Sequence, residues 1–161
     1  MGQQQLLLVI LVTIIVGIAT VVAINIFGTA ADQANLDAVR QDLMAAGVQA
    51  QAIWARPGMM DGANRDFTGG AENAEDIDAS TILRQLNIPG EFDSPTDPTT
   101  VTNENGLYRL GTIQESSLEI VAVPASGADE EEQTVHAVTC RDDQGNWQID
   151  IEQGEVPAPC G

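Results

Sequence analysis

The chain has 161 residues, a formal charge of −18, six Arg and no Lys. A surface this acidic disfavours nucleic acid and anionic lipid as partners and suits divalent cations, a basic partner or a salty medium. Setting the apolar N-terminus aside leaves roughly 130 residues, enough for one modest core.

The N-terminal stretch Leu6 to Phe27, LLLVILVTIIVGIATVVAINIF, carries no charge. Its apolar residues are Leu6, Leu7, Leu8, Val9, Ile10, Leu11, Val12, Ile14, Ile15, Val16, Ile18, Val21, Val22, Ile24, Ile26 and Phe27. They fall on every face of a helix, unlike the stripe of a soluble amphipathic helix. At about 1.5 Å per residue this stretch is roughly 33 Å long, enough to cross a bilayer core. Thr13, Thr20 and Asn25 are its polar interruptions, and Gly17 is a place for local loosening. Thr13 can bond its own helix, whereas Asn25 sits at the boundary, where a bond across helices is one option. No Lys or Arg precedes the run, so orientation rests on the far side, where Asp32, Asp37 and Asp42 outnumber Arg40 and Arg56. That side reads as exterior. A cleavable signal is a competing reading, with Thr29-Ala30-Ala31 as the small-residue site, but the run is longer than an ordinary signal core and its leading residues are uncharged.

Gly28 is a soft spot, after which the helical pattern resumes. Leu36, Val39, Leu43, Ala46, Ala50 and Ile53 or Trp54 recur at spacings of three and four, which predicts one apolar face. Pro57-Gly58 stops the helix. The expected helix runs from about 3 to 55, close to 80 Å at 1.5 Å per residue. Residues 1–27 form its hydrophobic part, residues 28–55 its amphipathic continuation, and residues 56–161 a globular acidic head.

Between Met59 and Asn105 periodicity is weak. Ser80 to Leu86 reads as a short helix capped by Asp78 or Ser80, ended by Asn87-Ile88-Pro89-Gly90, and Ser94 to Thr100 as a surface loop. The period then changes to two. Leu107–Leu110, Ser117–Val123, Thr134–Cys140 and Asn146–Ile151 are predicted strands. Turns are expected around Gly111, over Ser126–Glu132 and at Asp142–Gly145. The expected fold is α+β: the long helix packed on a four-stranded antiparallel meander. Cys140 and Cys160, an even count in an exported chain, favour a disulfide over two free thiols. It would tie the tail to the third strand and stabilise by roughly 3 kcal/mol in the chain-entropy model.

No catalytic motif, P-loop, dinucleotide fingerprint or zinc-protease helix occurs, and no cofactor is expected. His136, the one histidine, reads as an ordinary strand residue. A zinc site is not expected, since there is no CxxC. The acidic loops Asp129–Glu132 and Asp142-Asp143 suggest divalent cations as occasional partners, although solvated turns explain both more simply.

The uncharged run close to the N-terminus, its amphipathic continuation to about Ala55, the strand meander and the cysteines bracketing the last strand together resemble a type IV pilin, in divergent form. The resemblance spans the chain as architecture and is closest over residues 1–55. It implies a structural, non-enzymatic subunit of an extracellular helical filament, held in the inner membrane before assembly, with the Leu6–Phe27 surface as filament core. It gives Gln5 the position beside a neighbour's N-terminus. In the family that position, mature residue five, is usually Glu; counted from Met1 it is Gln5, and counted from Gln3 it is Leu7, neither of them charged. Gly17 and Gly28 are the expected points of helix flexibility. Two alternatives stay open: a pseudopilin of a secretion system, and a single-pass anchored surface or periplasmic binding domain.

Overall fold

A computed structural model describes residues 2–69, 77–127, 133–158 and 160. Helix α1 spans Gly2–Ala55, with no break at Gly17 or Gly28. Two compact units divide the chain, Met1–Ala34 and Asn35–Gly161.

The second unit is a helix on a sheet. Val39, Leu43, Ala46, Gly47, Ala50, Ile53 and Trp54 are buried, which is the stripe that the three- and four-residue spacing predicts. A 3-10 turn at Gly58–Met60 follows, then α2 at Ala79–Gln85 with Asp78 at its N-cap. Strands β1 (Glu91–Phe92), β2 (Thr100–Thr102), β3 (Gly106–Gln114), β4 (Ser117–Pro124), β5 (Val135–Arg141) and β6 (Trp147–Gln153) form one sheet in the order β1-β2-β3-β4-β5-β6. Every neighbouring pair is antiparallel.

The four expected strands are present as β3 to β6, and the sheet has two more. Strands β1 and β2 are two and three residues long, too short to show alternation, and a polar, Pro-containing loop joins them. Asp93 closes that loop. Its carboxylate accepts from Thr99 Oγ1 at 2.6 Å, Thr99 N at 2.9 Å and Thr100 N at 3.0 Å. The Thr99 hydroxyl, then the Thr100 amide, hold this carboxyl down at about 2.

The turn expected around Gly111 is also displaced. Strand β3 runs on to Gln114, with a register shift between Leu110 and Ile113. The bulge accommodates the Glu119 side chain of β4, since a Cβ on Gly111 would collide with its carboxylate. Glycine in a strand marks such a close approach.

The core lies between α1 and one face of the sheet, from Val101 and Tyr108 through Leu118, Ile120 and Ala122 to Val135 and Ala137. The closest approach is at Gly47. A Cβ there would come within 2.7 Å of Thr139 Oγ1 and 2.9 Å of Ile149 Cδ1. Helix propensity alone argues against glycine here by about 1 kcal/mol; packing against β5 and β6 outweighs it.

Polar ties fix the helix on the sheet. Asp42 Oδ2 accepts from Tyr108 OH at 2.7 Å, Asn105 Nδ2 at 2.9 Å and Asn103 Nδ2 at 3.2 Å. Burial, then the neighbouring Asp42 carboxylate, push the Tyr108 hydroxyl far above the usual phenol range, so it stays a donor. Two turns earlier, Asn35 Nδ2 donates to the Asn105 carbonyl at 2.9 Å, and its Oδ1 accepts from Ser126 Oγ at 3.0 Å. At the far end Trp54 Nε1 donates to the Glu115 carbonyl at 3.0 Å, Trp147 meets Trp54 edge-on at 5.3 Å, and Arg141 lies over the Trp54 ring.

The other sheet face is closed by the tail. Cys140 pairs with Cys160, with Cα atoms 5.6 Å apart. Alternation along β5 puts Cys140 on the face away from α1, so the tail crosses that face, and Pro157 is buried there.

Two substitutions test this packing. Asp42→Ala removes the shared acceptor of Tyr108, Asn103 and Asn105 and should cost about 2 kcal/mol, read by denaturant unfolding. Thr139 Oγ1 is buried with no hydrogen-bond partner among the described residues. Thr139→Val should therefore be neutral or stabilise by about 1 kcal/mol in the same measurement.

Candidate assembly surface

The first unit presents a helical surface with little polar character. From Leu6 to Phe27 the large apolar side chains are between 48% and 75% exposed, Val12 at the lower limit and Phe27 at the upper. The set includes Leu6, Leu7, Leu8, Val9, Ile10, Leu11, Val12, Ile14, Ile15, Val16, Ile18, Val21, Val22, Ile24, Ile26 and Phe27. This stretch is long and apolar enough to cross a membrane.

The hydroxyls in this stretch are satisfied inside the helix. Thr13 Oγ1 donates to the Ile10 carbonyl and Thr20 Oγ1 to the Val16 carbonyl, each at 2.8 Å. Thr29 does the same at the boundary, 3.0 Å from the Ile26 carbonyl. A helix whose backbone and hydroxyl groups are paired internally tolerates an apolar medium. Gln5, immediately before Leu6, is exposed. Gly17 and Gly28 have open space where a Cβ would stand. Ala19 and Ala23, four residues apart, lie between Ile15, Ile18, Val22 and Ile26 on one side of the helix. Small residues at that spacing let a second backbone come close.

Elsewhere the side chains of chemical interest are engaged in structure. His136, read from sequence as an ordinary strand residue, is partnered: its Nδ1 lies 2.8 Å from Glu119 Oε1. Glu119 Oε2 accepts from Thr112 N at 2.8 Å. Both side chains lie on the face of β4 and β5 away from α1. Burial by itself pushes the Glu119 carboxyl up; the Thr112 amide and His136 together outweigh it, and the net direction is down. The residues are far apart in sequence, and only the β4–β5 register brings them together, with Val121 opposite His136 and Val138 opposite Glu119.

The Asp142–Gly145 turn is closed by its own carboxylate. Asp142 Oδ1 accepts from Asn146 N at 2.7 Å and Gln144 N at 3.0 Å. Among the described residues no three His, Cys, Asp or Glu side chains converge to hold a metal ion. The Asp129–Glu132 run lies outside the described residues. A hollow of about 250 Å³ is bounded by Asp78, Ser80, Leu83, Asp97, Thr99 and Ile113, among others. It is small beside ligand pockets, which begin near about 300 Å³.

The Glu119 pairing sets a pH dependence. A carboxyl lowered in the folded state stabilises above its unfolded value, about 4.3, and the contribution is lost as pH falls through the folded value. Glu119→Gln should thus lower the thermal midpoint at pH 7 more than at pH 3, as followed by circular dichroism. No family model, no curated protein and no solved structure matches the chain.

Proposed function

We propose that the protein is a structural subunit of an extracellular filament of type IV pilin-like build, not an enzyme, assembled through its N-terminal helices. One observation carries the reading. The Leu6–Phe27 surface is apolar all round and exposed, while the stripe from Val39 to Trp54 is already used by the chain's own sheet. Bundling with copies of the same helix covers every face at once. Each Leu, Ile or Val that leaves water this way contributes about 1.5–3 kcal/mol. A contact between unlike surfaces that does not close on itself continues as a helical polymer.

Before assembly the same helix would rest in the inner membrane, with the Asn35–Gly161 unit outside the cytoplasm. The Cys140–Cys160 disulfide supports that side, since such bonds persist in oxidising compartments. Gln5 would lie near a neighbour's N-terminus, and the Ala19–Ala23 side would allow close helix packing.

The test is electron microscopy of material sheared from cells, with mass spectrometry of the same fraction. Thin uniform filaments composed of this chain are expected. Recovery only in detergent, as a monomer, would instead identify an anchored surface domain, and assemblies that stay short would identify a pseudopilin. Val16→Asp or Ile18→Asp puts a charge where it costs about 2.5–3.5 kcal/mol in an apolar setting. Either should abolish filaments while residues 35–161 keep their fold and disulfide, followed by circular dichroism and thiol labelling.

A further inference from the structure

The strand order leaves β1 and β6 as the two sheet edges. Strand β1 is two residues long and leads into a Pro-containing loop. Strand β6 has seven residues, with no Pro, Lys or Arg. Its register with β5 shows which of its backbone groups point away from β5. Gly154 N donates to the Thr134 carbonyl and Asp142 N to the Asn146 carbonyl, so the pairs of this ladder that exchange hydrogen bonds are the even-numbered ones. Gln148, Asp150 and Glu152 turn their backbone toward β5. Trp147, Ile149, Ile151 and Gln153 turn theirs to the open side, where no strand pairs with them among the described residues.

The side chains along this edge alternate sharply. Gln148, Asp150 and Glu152 are exposed on the face away from α1, while Trp147, Ile149 and Ile151 are half-buried on the core face. Gly47 of α1 lies beneath Ile149. Helical spacing puts Met44 beside Gly47 on the side of α1 opposite to Asp42, with Val48 further round toward solvent. Met44 and Val48 are 49% and 57% exposed. Among the described residues the edge is thus a rail of outward-facing N–H and C=O groups with an apolar side next to the helix and an acidic side facing out.

We propose that the β6 edge is a docking site for an extended peptide in which basic and apolar residues alternate. Main-chain pairing with the odd-numbered residues of β6 would hold it. Its apolar residues would cover Met44 and the edge of the core, and its Arg or Lys residues would face Asp150 and Glu152. Charge complementarity selects this occupant over a second copy of the chain. In the fully overlapped antiparallel register, two β6 strands would set Asp150 against Asp150, and like charges directly opposite are destabilising. The net charge of −18 works in the same direction.

The test uses the full chain in non-ionic detergent and a fluorescein-labelled seven-residue peptide alternating arginine and valine, titrated by anisotropy. Saturable binding is expected. It should weaken about tenfold or more with Asp150→Arg combined with Glu152→Arg, and likewise with Gln153→Pro, which removes an outward N–H from an exposed edge position. A peptide N-methylated at the amides that would face β6 should fail in the same way, which covers the case of a Gln153→Pro chain that does not fold. The proposal is overturned if a block peptide of the same composition binds equally well, since that would be charge attraction alone. It is also overturned by no binding, by indifference to N-methylation, or by a dimer of the chain that the Gln153→Pro substitution dissolves.

Discussion

A helix that is apolar on every face cannot bury itself against one sheet. That constraint divides α1 by chemistry and not by backbone geometry. From Leu6 to Phe27 the apolar surface is continuous around the axis and exposed. From Val39 to Trp54 it narrows to one stripe, and the sheet covers it. The boundary between the compact units falls after Ala34. Asn35, the next residue, is the first helix side chain to bond the loops beyond the sheet, at Asn105 and Ser126.

The stripe alone would let the helix slide or roll along the sheet, because hydrophobic contact is not directional. Three features remove that freedom. Gly47 lets the backbone approach Thr139 and Ile149 so closely that a side chain would be in the way. Asp42 gathers three donors from β3 and the residues before it. Trp54 bonds the Glu115 carbonyl and packs edge-on to Trp147. Each is specific in position, so together they set the register of helix on sheet.

The opposite face of the sheet is organised around a different polar group. Glu119 is nearly buried, its carboxylate held by Thr112 N and His136, and Gly111 gives it room. The tail crosses this face and is tied down at Cys140. A strand with both faces covered reads as continuously apolar, and β4 is buried along nearly its whole length. Strand β6, with one acidic exposed face and no strand on its outer edge among the described residues, is the least covered of the long strands.

Local pattern was enough to locate most elements of this protein. Helix α1 was legible from composition and spacing over its whole length, strands β3 to β6 from alternation, and the Cys140–Cys160 pair from cysteine count and context. The apolar surface was legible for the same reason: its signal is contiguous in sequence. What depends on residues meeting across the fold was not. Strands β1 and β2 are too short to carry a period, and they exist because β3 offers an edge to pair with. Gly111 looked like a turn and is a bulge, because the Glu119 side chain, eight positions later, occupies the space beside it. Asp42 looked like one more surface acid until Tyr108, Asn103 and Asn105 were brought to it. Sequence periodicity records which face of an element is apolar; only the tertiary structure decided which polar groups face one another, because that depends on register between strands and on the roll of the helix, neither of which leaves a local trace.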